Sequence, residues 1–253
     1  MKSSLFMVES NKYGRIAVIG DLHGDYKSLL ALLKLVDLNV DLLVFLGDYA
    51  DRGPDGVEVI RKVAKLQKEH PENVLPLMGN HEDYSRYGEP QFNPCTLIAE
   101  VEAKGGSWSR YFQDELHPFI SSLHLCALIP SNALLVHGGV SSKIKGISDL
   151  EHPSDELRTD LLWSDPIDGE GEKPNWMRGA GVEWGCDVSK AVCSTLGVER
   201  IIRSHEPQLA AKKPHVSHGG RVITLNATTV YGGKPFIYSI DPLSTKKDSY
   251  KII

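Results

Sequence analysis

Polar side chains suited to metal binding or acid–base chemistry follow five predicted strands of this sequence. The segments are, in chain order, GDLHGD (20–25), GDYADRG (47–53), GNHE (79–82), HGG (137–139) and RSHEP (203–207). A single Gly-Asp after a strand is usually only a turn, in which the carboxylate accepts hydrogen bonds from nearby backbone N–H groups. Five independent turns are not expected to collect such side chains, so the combination indicates a functional site.

The residue types in these segments predict chemistry at phosphorus. Mixed oxygen and imidazole ligands suit Mn, Fe or Zn, whereas an all-oxygen set suits Mg or Ca. Two metal ions that share a bridging carboxylate can clamp an in-line displacement at a phosphoryl group. Arg52, in the middle of DRGP, supplies the guanidinium fork that matches phosphate oxygens.

The elements between these segments alternate in a regular order. Strands are predicted at 15–19, 42–46 and 74–78, with amphipathic helices at 27–36 and 57–67 between them. This order, with short joins, predicts parallel neighbouring strands covered by helices. Ligands bind at the carboxyl ends of such strands, which is where the polar segments lie.

The second half of the sequence is less regular. One or two helices broken at Gly105–Gly106 are predicted between 95 and 120, and the stretch 141–180 is predicted to be rich in loops. Further elements are a strand that ends at His137, a helix at 187–196, and strands at 200–203, 221–226 and 235–240. The last two strands are predicted to be antiparallel neighbours across a turn near Gly232–Gly233.

Length and composition narrow the class of protein. A chain of 253 residues fits one large α/β domain, so residues 1–253 are predicted to form a single catalytic domain. The net charge of −5 gives no basic excess for binding nucleic acid. The first ten residues have too short an apolar run for a signal peptide, and no run approaches the length of a membrane span. The sequence therefore predicts a cytoplasmic protein with no membrane or nucleic-acid partner.

Several side chains are predicted to have no chemical role. No CxxC pair is present, which argues against a structural zinc site. The residues predicted to pack in the interior are Cys186, Cys193, Trp163, Trp176 and Trp184. Lys212, Lys213 and the segment STKKDSYKII are predicted to be solvated surface.

Taken together, the motifs resemble the PPP family of protein serine/threonine phosphatases, within the calcineurin-like metallophosphoesterases. The family pattern GDxHG, GDxxDRG, GNHE, HGG and RxH appears here in that order, with 22 residues between the first two motifs and 25 between the next two. The segments LLWSDP (161–166) and MRGAGVEWGCDV (177–188) also resemble family segments. The resemblance extends from about residue 15 to residue 240.

The resemblance implies a fold and an activity. The fold is α/β, with two mixed β-sheets packed as a sandwich and flanked by helices (αββα). The implied activity is hydrolysis of phosphoserine and phosphothreonine monoesters in a phosphoprotein or phosphopeptide, by direct attack of a metal-bridging hydroxide and without a phosphoenzyme. If the groove is open, phosphotyrosine should be accepted as well, whereas a narrow, deep pocket would argue against this specificity.

The resemblance also implies two divalent metal ions, with Mn²⁺ as the first choice and Fe or Zn as alternatives. The implied ligands are Asp21 and His23 for the first metal, Asp48 as the bridge, and Asn80, His137 and His205 for the second. Asn80 is also expected to contact the substrate.

Catalytic roles follow from the same resemblance. Arg52 and Arg178 would hold the phosphoryl oxygens and stabilise charge in the transition state. His81 would protonate the leaving alkoxide, oriented by Asp51. Tyr231 stands where a family tyrosine projects over the site.

The assignment of the second arginine leaves alternatives open. Arg178 follows an irregular loop, and Arg110, Arg158 or Arg203 could take its place. Asp165, which precedes a proline, could face the substrate groove or could form a plain turn. Whether residues 83–117 form a lid is also open.

Departures from the family pattern indicate a stand-alone, prokaryotic-type enzyme. Met78 precedes GNHE, where eukaryotic members usually carry arginine, and ITLNATTVYGG lacks the late SAPNY segment of those members. The GGSWSRYF stretch looks more like prokaryotic members. These departures leave open which regulatory subunits, if any, the protein uses.

Two other functions compete with this interpretation. Dinucleoside tetraphosphatases of the same superfamily typically lack the acid before the arginine of the second motif and tend to read GNHD and HAG. Here Asp51, GNHE and HGG favour a protein phosphatase. A catalytically dead phosphate-binding module would have lost a metal ligand, Arg52 or His81, and all of these are present.

Overall fold

The computed structural model of the protein describes residues 3–253. The strands are β1 (Leu5–Met7), β2 (Arg15–Ile19), β3 (Asp41–Phe45), β4 (Val74–Pro76), β5 (Cys126–Ile129), β6 (Ala133–Val136), β7 (Asp165–Pro166), β8 (Glu172–Pro174), β9 (Val182–Trp184), β10 (Arg200–Arg203), β11 (His215–Ser217), β12 (Val222–Thr224), β13 (Phe236–Asp241) and β14 (Ser244–Ile252). The α-helices are α1 (Tyr26–Leu33), α2 (Gly56–Glu69), α3 (Leu97–Ala103), α4 (Trp108–Tyr111), α5 (His117–Ser122), α6 (Ile147–Glu151), α7 (Asp155–Trp163) and α8 (Cys186–Leu196). Single helical turns of other types lie at Asn80–Glu82, Phe112–Leu116 and His218–Gly220.

The strands form two mixed sheets and a small third one. One sheet has the order β14-β13-β2-β3-β4, and its β2, β3 and β4 are parallel. The other has the order β1-β5-β6-β10-β12-β11, and its β6, β10 and β12 are parallel. The third has the order β7-β9-β8. The polar segments of the sequence therefore follow parallel strands of both large sheets.

Alternating side chains on the strands create the layers of the fold. Ile16 and Val18 of β2 pack in one buried cluster with Ile202 of β10, which joins the two sheets face to face. Ala17 and Ile19 of the same strand belong to a second cluster, with helices α1 and α2. The period of two along β2 thus serves both the sheet–sheet layer and the sheet–helix layer.

Helices also cover the far side of the second sheet. Leu134 of β6 packs in one buried cluster with Leu161 of α7 and Val192 of α8. Together with the preceding layers, this arrangement confirms the predicted αββα sandwich.

Short polar residues and glycine set the ends of the main helices. The Asp25 carboxylate accepts a hydrogen bond from the Ser28 N–H at the start of α1, at 3.0 Å. The Ser154 hydroxyl accepts one from the Leu157 N–H at the start of α7, at 3.2 Å. Helix α8 ends at Gly197, where φ is 64°. These are the capping residues that such positions favour.

The predicted strands and helices of the first half are confirmed, with ends that shift by a few residues. The break at Gly105–Gly106 is also confirmed, because α3 ends before it and α4 begins after it. The prediction of a loop-rich stretch at 141–180 was wrong in part, since α6, α7 and two strands of the small sheet, β7 and β8, lie there. Among residues 3–253, every helix is too short or too polar to cross a membrane.

The predicted hairpin between the last two strands was wrong. Strand β12 pairs with β10 and β11, whereas β13 pairs with β2 and β14 in the other sheet. The connection crosses from one sheet to the other, and Asn226 forms a bridge with Asp21 on the way. Gly233 packs against this connection, because a Cβ there would lie 2.6 Å from Asn226 Nδ2. Gly233 thus allows a close contact, and Gly232–Gly233 does not close a hairpin.

Other surface predictions also need correction. Residues 244–252, predicted to be solvated surface, form the edge strand β14, although most of its side chains stay exposed. Cys193 and Trp184 are buried as predicted, whereas Cys186 is exposed and Trp176 is 84% exposed. Trp163 is half-buried.

The sheet–sheet layer yields a stability prediction. Ile202→Ala should lower the free energy of unfolding by about 2–5 kcal/mol, because it leaves a cavity between the sheets. Val216→Ala, at a side chain on β11 that is 57% exposed, should cost less than about 1 kcal/mol. Denaturant unfolding of both variants measures the difference, and equal losses would contradict this assignment of the core.

Candidate active site

Asp48 lies between two imidazoles at the carboxyl ends of the parallel strands. Its Oδ2 is 3.4 Å from His23 Nε2, and its Oδ1 is 3.4 Å from His137 Nε2. Asp21 lies on the same side as His23, with its Oδ2 3.9 Å from His23 Nε2. All four side chains are buried. The structure therefore brings these predicted ligands together, with the Asp48 carboxylate between the two imidazoles.

The remaining predicted ligands surround His137. Its Nε2 is 2.9 Å from Asn80 Oδ1 and 3.1 Å from His205 Nδ1. The His205 backbone N–H donates to Asp21 Oδ1 at 3.1 Å, which ties the two halves of the site together. Asn80 and His205 are buried, like the first four residues.

The backbone of these loops adopts conformations that are uncommon for residues other than glycine. Positive φ angles occur at His23 (44°), Asp48 (55°), Asp51 (66°), Arg52 (70°) and His205 (67°). Each is a left-handed conformation that costs free energy unless the surrounding structure imposes it. The concentration of such residues at one place supports a functional role for the loops.

Close backbone contact and a buried carboxylate fix the Asp48 loop. A Cβ on Gly47 would lie 2.3 Å from Gly79 N, so only glycine fits there. Glu82 accepts hydrogen bonds from the backbone N–H groups of Asp48 (2.8 Å), Tyr49 (3.0 Å) and Gly79 (2.9 Å). Burial raises the pKa of Glu82 to about 7 although these bonds lower it. Glu82 is thus a positioning residue, a role that was not predicted for it from the GNHE motif.

The tautomers of two histidines test whether a metal fits the site. His23 Nδ1 lies 3.0 Å from the Ala50 carbonyl oxygen, and His137 Nδ1 lies 2.9 Å from that of Leu46. Because a carbonyl oxygen only accepts, both Nδ1 atoms carry the proton and both Nε2 atoms present lone pairs to Asp48. Burial lowers the pKa of His23 to about 4, so this imidazole is neutral near pH 7.

Two buried acceptors in the site also have no hydrogen-bond partner. They are Asp21 Oδ2 and His205 Nε2. Carboxylate oxygens and imidazole lone pairs that face one another without protons between them repel, and a divalent cation would satisfy them. The mixed oxygen and nitrogen donors suit Mn, Fe or Zn. The residues present therefore fit the metal ions that the motifs predict.

Two groups of possible ligand atoms share Asp48. They are His23–Asp48–His81 and Asp48–His137–His205, and within each the ligand atoms lie within 4.8 Å of one another. The first group contains His81, whereas Asp21 was predicted as the ligand that joins His23 and Asp48.

His81 and Asp51 form a buried pair beside this centre. The His81 Nδ1 lies 2.8 Å from Asp51 Oδ2, and the other carboxylate oxygen accepts the Leu97 and Thr96 N–H groups at 2.8 and 2.5 Å. Burial raises the pKa of Asp51, but these hydrogen bonds hold it below its ordinary value. Asp51 is thus an ionised anchor for the His81 ring, which packs on Phe92 at 4.6 Å between ring centres. Because residues 96 and 97 bind Asp51, this part of the segment 83–117 packs beside the site.

Arg178 is held in place by its neighbours. Its Nε donates to Asp165 Oδ2 at 2.8 Å, and its guanidinium also donates to the His205 carbonyl oxygen at 3.2 Å. Arg203 is fully buried behind Asp165, and Arg158 is bound to Asp83.

The site opens into a cavity of about 460 Å³. Its lining contains His23, Asp48, Arg52, Asn80, His81, Asn93, Trp163, Met177, Arg178, His205, Glu206, Pro207, Gln208, Leu209 and Tyr231. Arg178 is therefore at the cavity, whereas the alternatives Arg110, Arg158 and Arg203 are not among its lining residues. Met177 and Leu209 lie at the edge of this cavity and are exposed, so the cavity is open to solvent there, in agreement with the expected open groove.

Other residues that contribute to the site were not predicted from the sequence. Asp25 accepts hydrogen bonds from the Thr229 N–H at 2.8 Å and from its hydroxyl at 2.6 Å, which fixes the loop that carries Tyr231. The Tyr231 ring lies 5.5 Å from that of His23. The second Asp of GDLHGD was a visible signal for this contact, whereas nothing local marked Met177 or Leu209 as rim residues.

Metal binding yields a prediction about Asp48. Burial and the charges of Asp21 and Glu82 raise its pKa, so Asp48→Asn should leave stability in a chelator unchanged or raise it. With Mn²⁺ at about 100 times its dissociation constant, the parent protein should gain about 2.7 kcal/mol. Asp48→Asn should gain much less, and the exposed control Asp114→Asn should keep the full gain. Denaturant unfolding with and without Mn²⁺ measures this, and an equal gain in Asp48→Asn would contradict the assignment.

Comparisons with known proteins agree with this geometry. Residues 14–209 match the family described as calcineurin-like phosphoesterase, and this range contains every predicted metal ligand. A serine/threonine-protein phosphatase of Caenorhabditis elegans is 33% identical over 204 residues, which cover 76% of this chain and 43% of that protein. A second, described as a putative serine/threonine-protein phosphatase of the same organism, is 31% identical over 247 residues, covering 91% of this chain and 64% of its own length. The chain thus spans less than two thirds of either relative.

A solved structure shows the same likeness. It is a protein serine/threonine phosphatase from Saccharomyces cerevisiae with similarity to human phosphatase PP5, and it superposes with a TM-score of 0.79 at 25% identity. The match covers 95% of this chain and 78% of that one. These three relatives are eukaryotic, and the prokaryotic-type subgroup stays a prediction. The chain belongs to the calcineurin-like phosphoesterase family, and within it resembles the serine/threonine-protein phosphatases.

Proposed function

We propose that this chain is a phosphoprotein phosphatase that hydrolyses phosphoserine and phosphothreonine monoesters. The observation that carries the proposal is the Asp51–His81 pair, in which His81 lines an open cavity together with Arg52 and Arg178, next to the two groups of metal-capable side chains. The names of the relatives support the same activity. We further propose that the chain acts as one catalytic unit, in the cytoplasm.

The metal-capable side chains would hold two divalent cations, for which Mn²⁺ is our first choice. When bound, such ions supply Lewis acidity and lower the pKa of water until it can act as a nucleophile. The side chains proposed to hold them are Asp21, His23, Asp48, Asn80, His137 and His205. Burial lowers the pKa of His23, His137 and His205, so these imidazoles are neutral and their ring lone pairs are available to a metal ion.

The two arginines would bind the phosphoryl group. Arg52 lies on the exposed edge of the cavity and can approach phosphoryl oxygens from that side. Arg178 is held by Asp165 and the His205 carbonyl, so its guanidinium needs little reordering when substrate arrives. Both stabilise negative charge that develops on the phosphoryl oxygens.

His81 would supply a proton to the leaving oxygen of serine or threonine. Because its Nδ1–H is bound to Asp51, the proton that can be transferred is the one on Nε2. Asp51 fixes the ring orientation through this contact. This acid matters for an alkoxide leaving group, which is a poor leaving group without a proton.

A direct assay tests the proposal against its competitors. Phosphate release from a phosphoserine peptide, a phosphotyrosine peptide and diadenosine tetraphosphate should be compared with Mn²⁺ added. We expect turnover of the phosphoserine peptide, some turnover of the phosphotyrosine peptide because the rim is open, and little cleavage of the nucleotide. Preferential cleavage of the nucleotide would move the protein to the tetraphosphatase function. Binding of the phosphopeptide without any turnover would favour the alternative of a catalytically dead phosphate-binding module.

The proposed acid yields a second prediction. Asp51→Asn should lower kcat for the phosphoserine peptide by about 10²–10⁴-fold, because His81 loses the carboxylate that orients its ring. KM should change far less, since Asp51 does not line the cavity. Steady-state kinetics measure both constants, with the exposed Asp114→Asn as a matched control. A kcat within a few fold of the parent value would contradict the role given to Asp51.

A further inference from the structure

A short turn beside Arg178 is anchored at both of its ends to one carboxylate. The Asn175 side-chain amide and Arg178 Nε both donate to Asp165 Oδ2, at 3.0 and 2.8 Å. The Arg178 backbone N–H also donates to Asn175 Oδ1 at 3.1 Å, and Asn175 is buried. The position of residues 176 and 177 is therefore set by polar contacts on either side of them.

The two residues within this anchored turn are large, apolar and open to water. Trp176 is 84% exposed and Met177 is 91% exposed. Single exposed apolar side chains are common, but two adjacent ones on a fixed turn are a feature that marks binding surfaces. Methionine is well suited to such a surface, because its flexible and polarisable side chain adapts to different partners.

Met177 belongs to the same cavity as the proposed catalytic residues. His81, Arg178 and Met177 all line it, as does Leu209, which is 51% exposed. Leu209 comes from the segment after His205, so it reaches the cavity on a different loop from Met177. Trp163 is half-buried and lines the same cavity, where it adds an aromatic surface whose ring centre lies 6.0 Å from that of His205. We call Met177, Leu209 and Trp163 the apolar rim.

We propose that the apolar rim binds an apolar side chain of the substrate polypeptide, next to its phosphorylated residue. This inference rests on the proposed function. Because Met177 directly precedes Arg178, a phosphoryl group held by Arg178 leaves the adjacent residues of the polypeptide, each spanning at most about 3.6 Å of chain, within reach of the rim. We assign an apolar side chain of the substrate to the rim because the rim is continuous with the place where the phosphoryl group would bind.

The charges at the cavity favour an apolar neighbour over an acidic one. Glu206 lines the cavity and is paired with Arg203, and Asp165 is paired with both Arg178 and Arg203, so these carboxylates offset the arginine charges beside the rim. An acidic residue beside the phosphorylated one would approach these carboxylates. The substrate class that the rim fits is therefore a phosphopeptide with a large apolar residue close to the phosphoserine or phosphothreonine.

Matched peptides test the inference on the parent protein. One phosphoserine peptide carries leucine at the two positions before the phosphoserine, a second carries leucine at the two positions after it, and a third carries glycine at all four. We expect kcat/KM for one leucine peptide to exceed that for the glycine peptide by about tenfold, which corresponds to about 1.4 kcal/mol. A fourth peptide with glutamate at all four positions should be the poorest substrate.

Substitutions on the rim identify the residues that confer the preference. Met177→Ser and Leu209→Ser should each reduce the ratio of kcat/KM between the leucine and glycine peptides several-fold, whereas Met177→Leu should preserve it. Both residues are exposed, so the folded state should tolerate the changes, which thermal unfolding verifies. Leu243→Ser, at a leucine that is 76% exposed and lines a different cavity, is the matched control and should leave the ratio unchanged.

The outcomes separate this inference from the proposed function. Equal kcat/KM values for the leucine and glycine peptides would overturn the inference while the phosphatase function stands. A preference for leucine that survives both rim substitutions would also overturn it. Hydrolysis of p-nitrophenyl phosphate without hydrolysis of any peptide would instead show that the proposed function is wrong.

Discussion

Two backbone segments, at Gly47 and Gly79, approach so closely that neither has room for a side chain at the contact. The contact places Asp48 next to the GNHE turn, where Glu82 accepts the Asp48 N–H at 2.8 Å. The Asp48 carbonyl oxygen in turn accepts the His23 N–H at 2.8 Å, which brings in the loop after β2. The backbone of Asp48 therefore connects three of the five motifs before its side chain contributes any chemistry. Either glycine replaced by a larger residue would separate the parts of the site.

This arrangement places several carboxyl groups close together in the protein interior, which is unfavourable for folding alone. Asp21, Asp48 and Glu82 are buried close together, and burial together with the charges of the other two raises the pKa of Asp48. Neutral imidazoles at His23 and His137 present lone pairs to the same centre. Such a set repels itself until positive charge is added, so the protein gives up stability of its metal-free form for a site that binds cations tightly.

How far the sequence predicts this structure depends on how local each signal is. The metal-capable residues could be predicted because each follows an apolar strand directly, and strands in parallel order deliver their ends to one edge. The strands that pair with β12 could not be predicted, because the turn signal at Gly232–Gly233 does not indicate which sheet the next strand joins. Trp176 was assigned to the interior on residue type alone, whereas the polar anchors at Asn175 and Arg178 hold it in water. The role of Glu82 depends on Asp48, which lies 34 residues earlier, and no local pattern reveals that contact.

We expect these loops to bind two metal ions that share Asp48. A crystal structure of the protein soaked with Mn²⁺, with anomalous diffraction recorded, tests it most directly. Two anomalous peaks should appear, each in contact with a carboxylate oxygen of Asp48, with His23 near one and His137 near the other. A single peak, or peaks that do not contact Asp48, would contradict it.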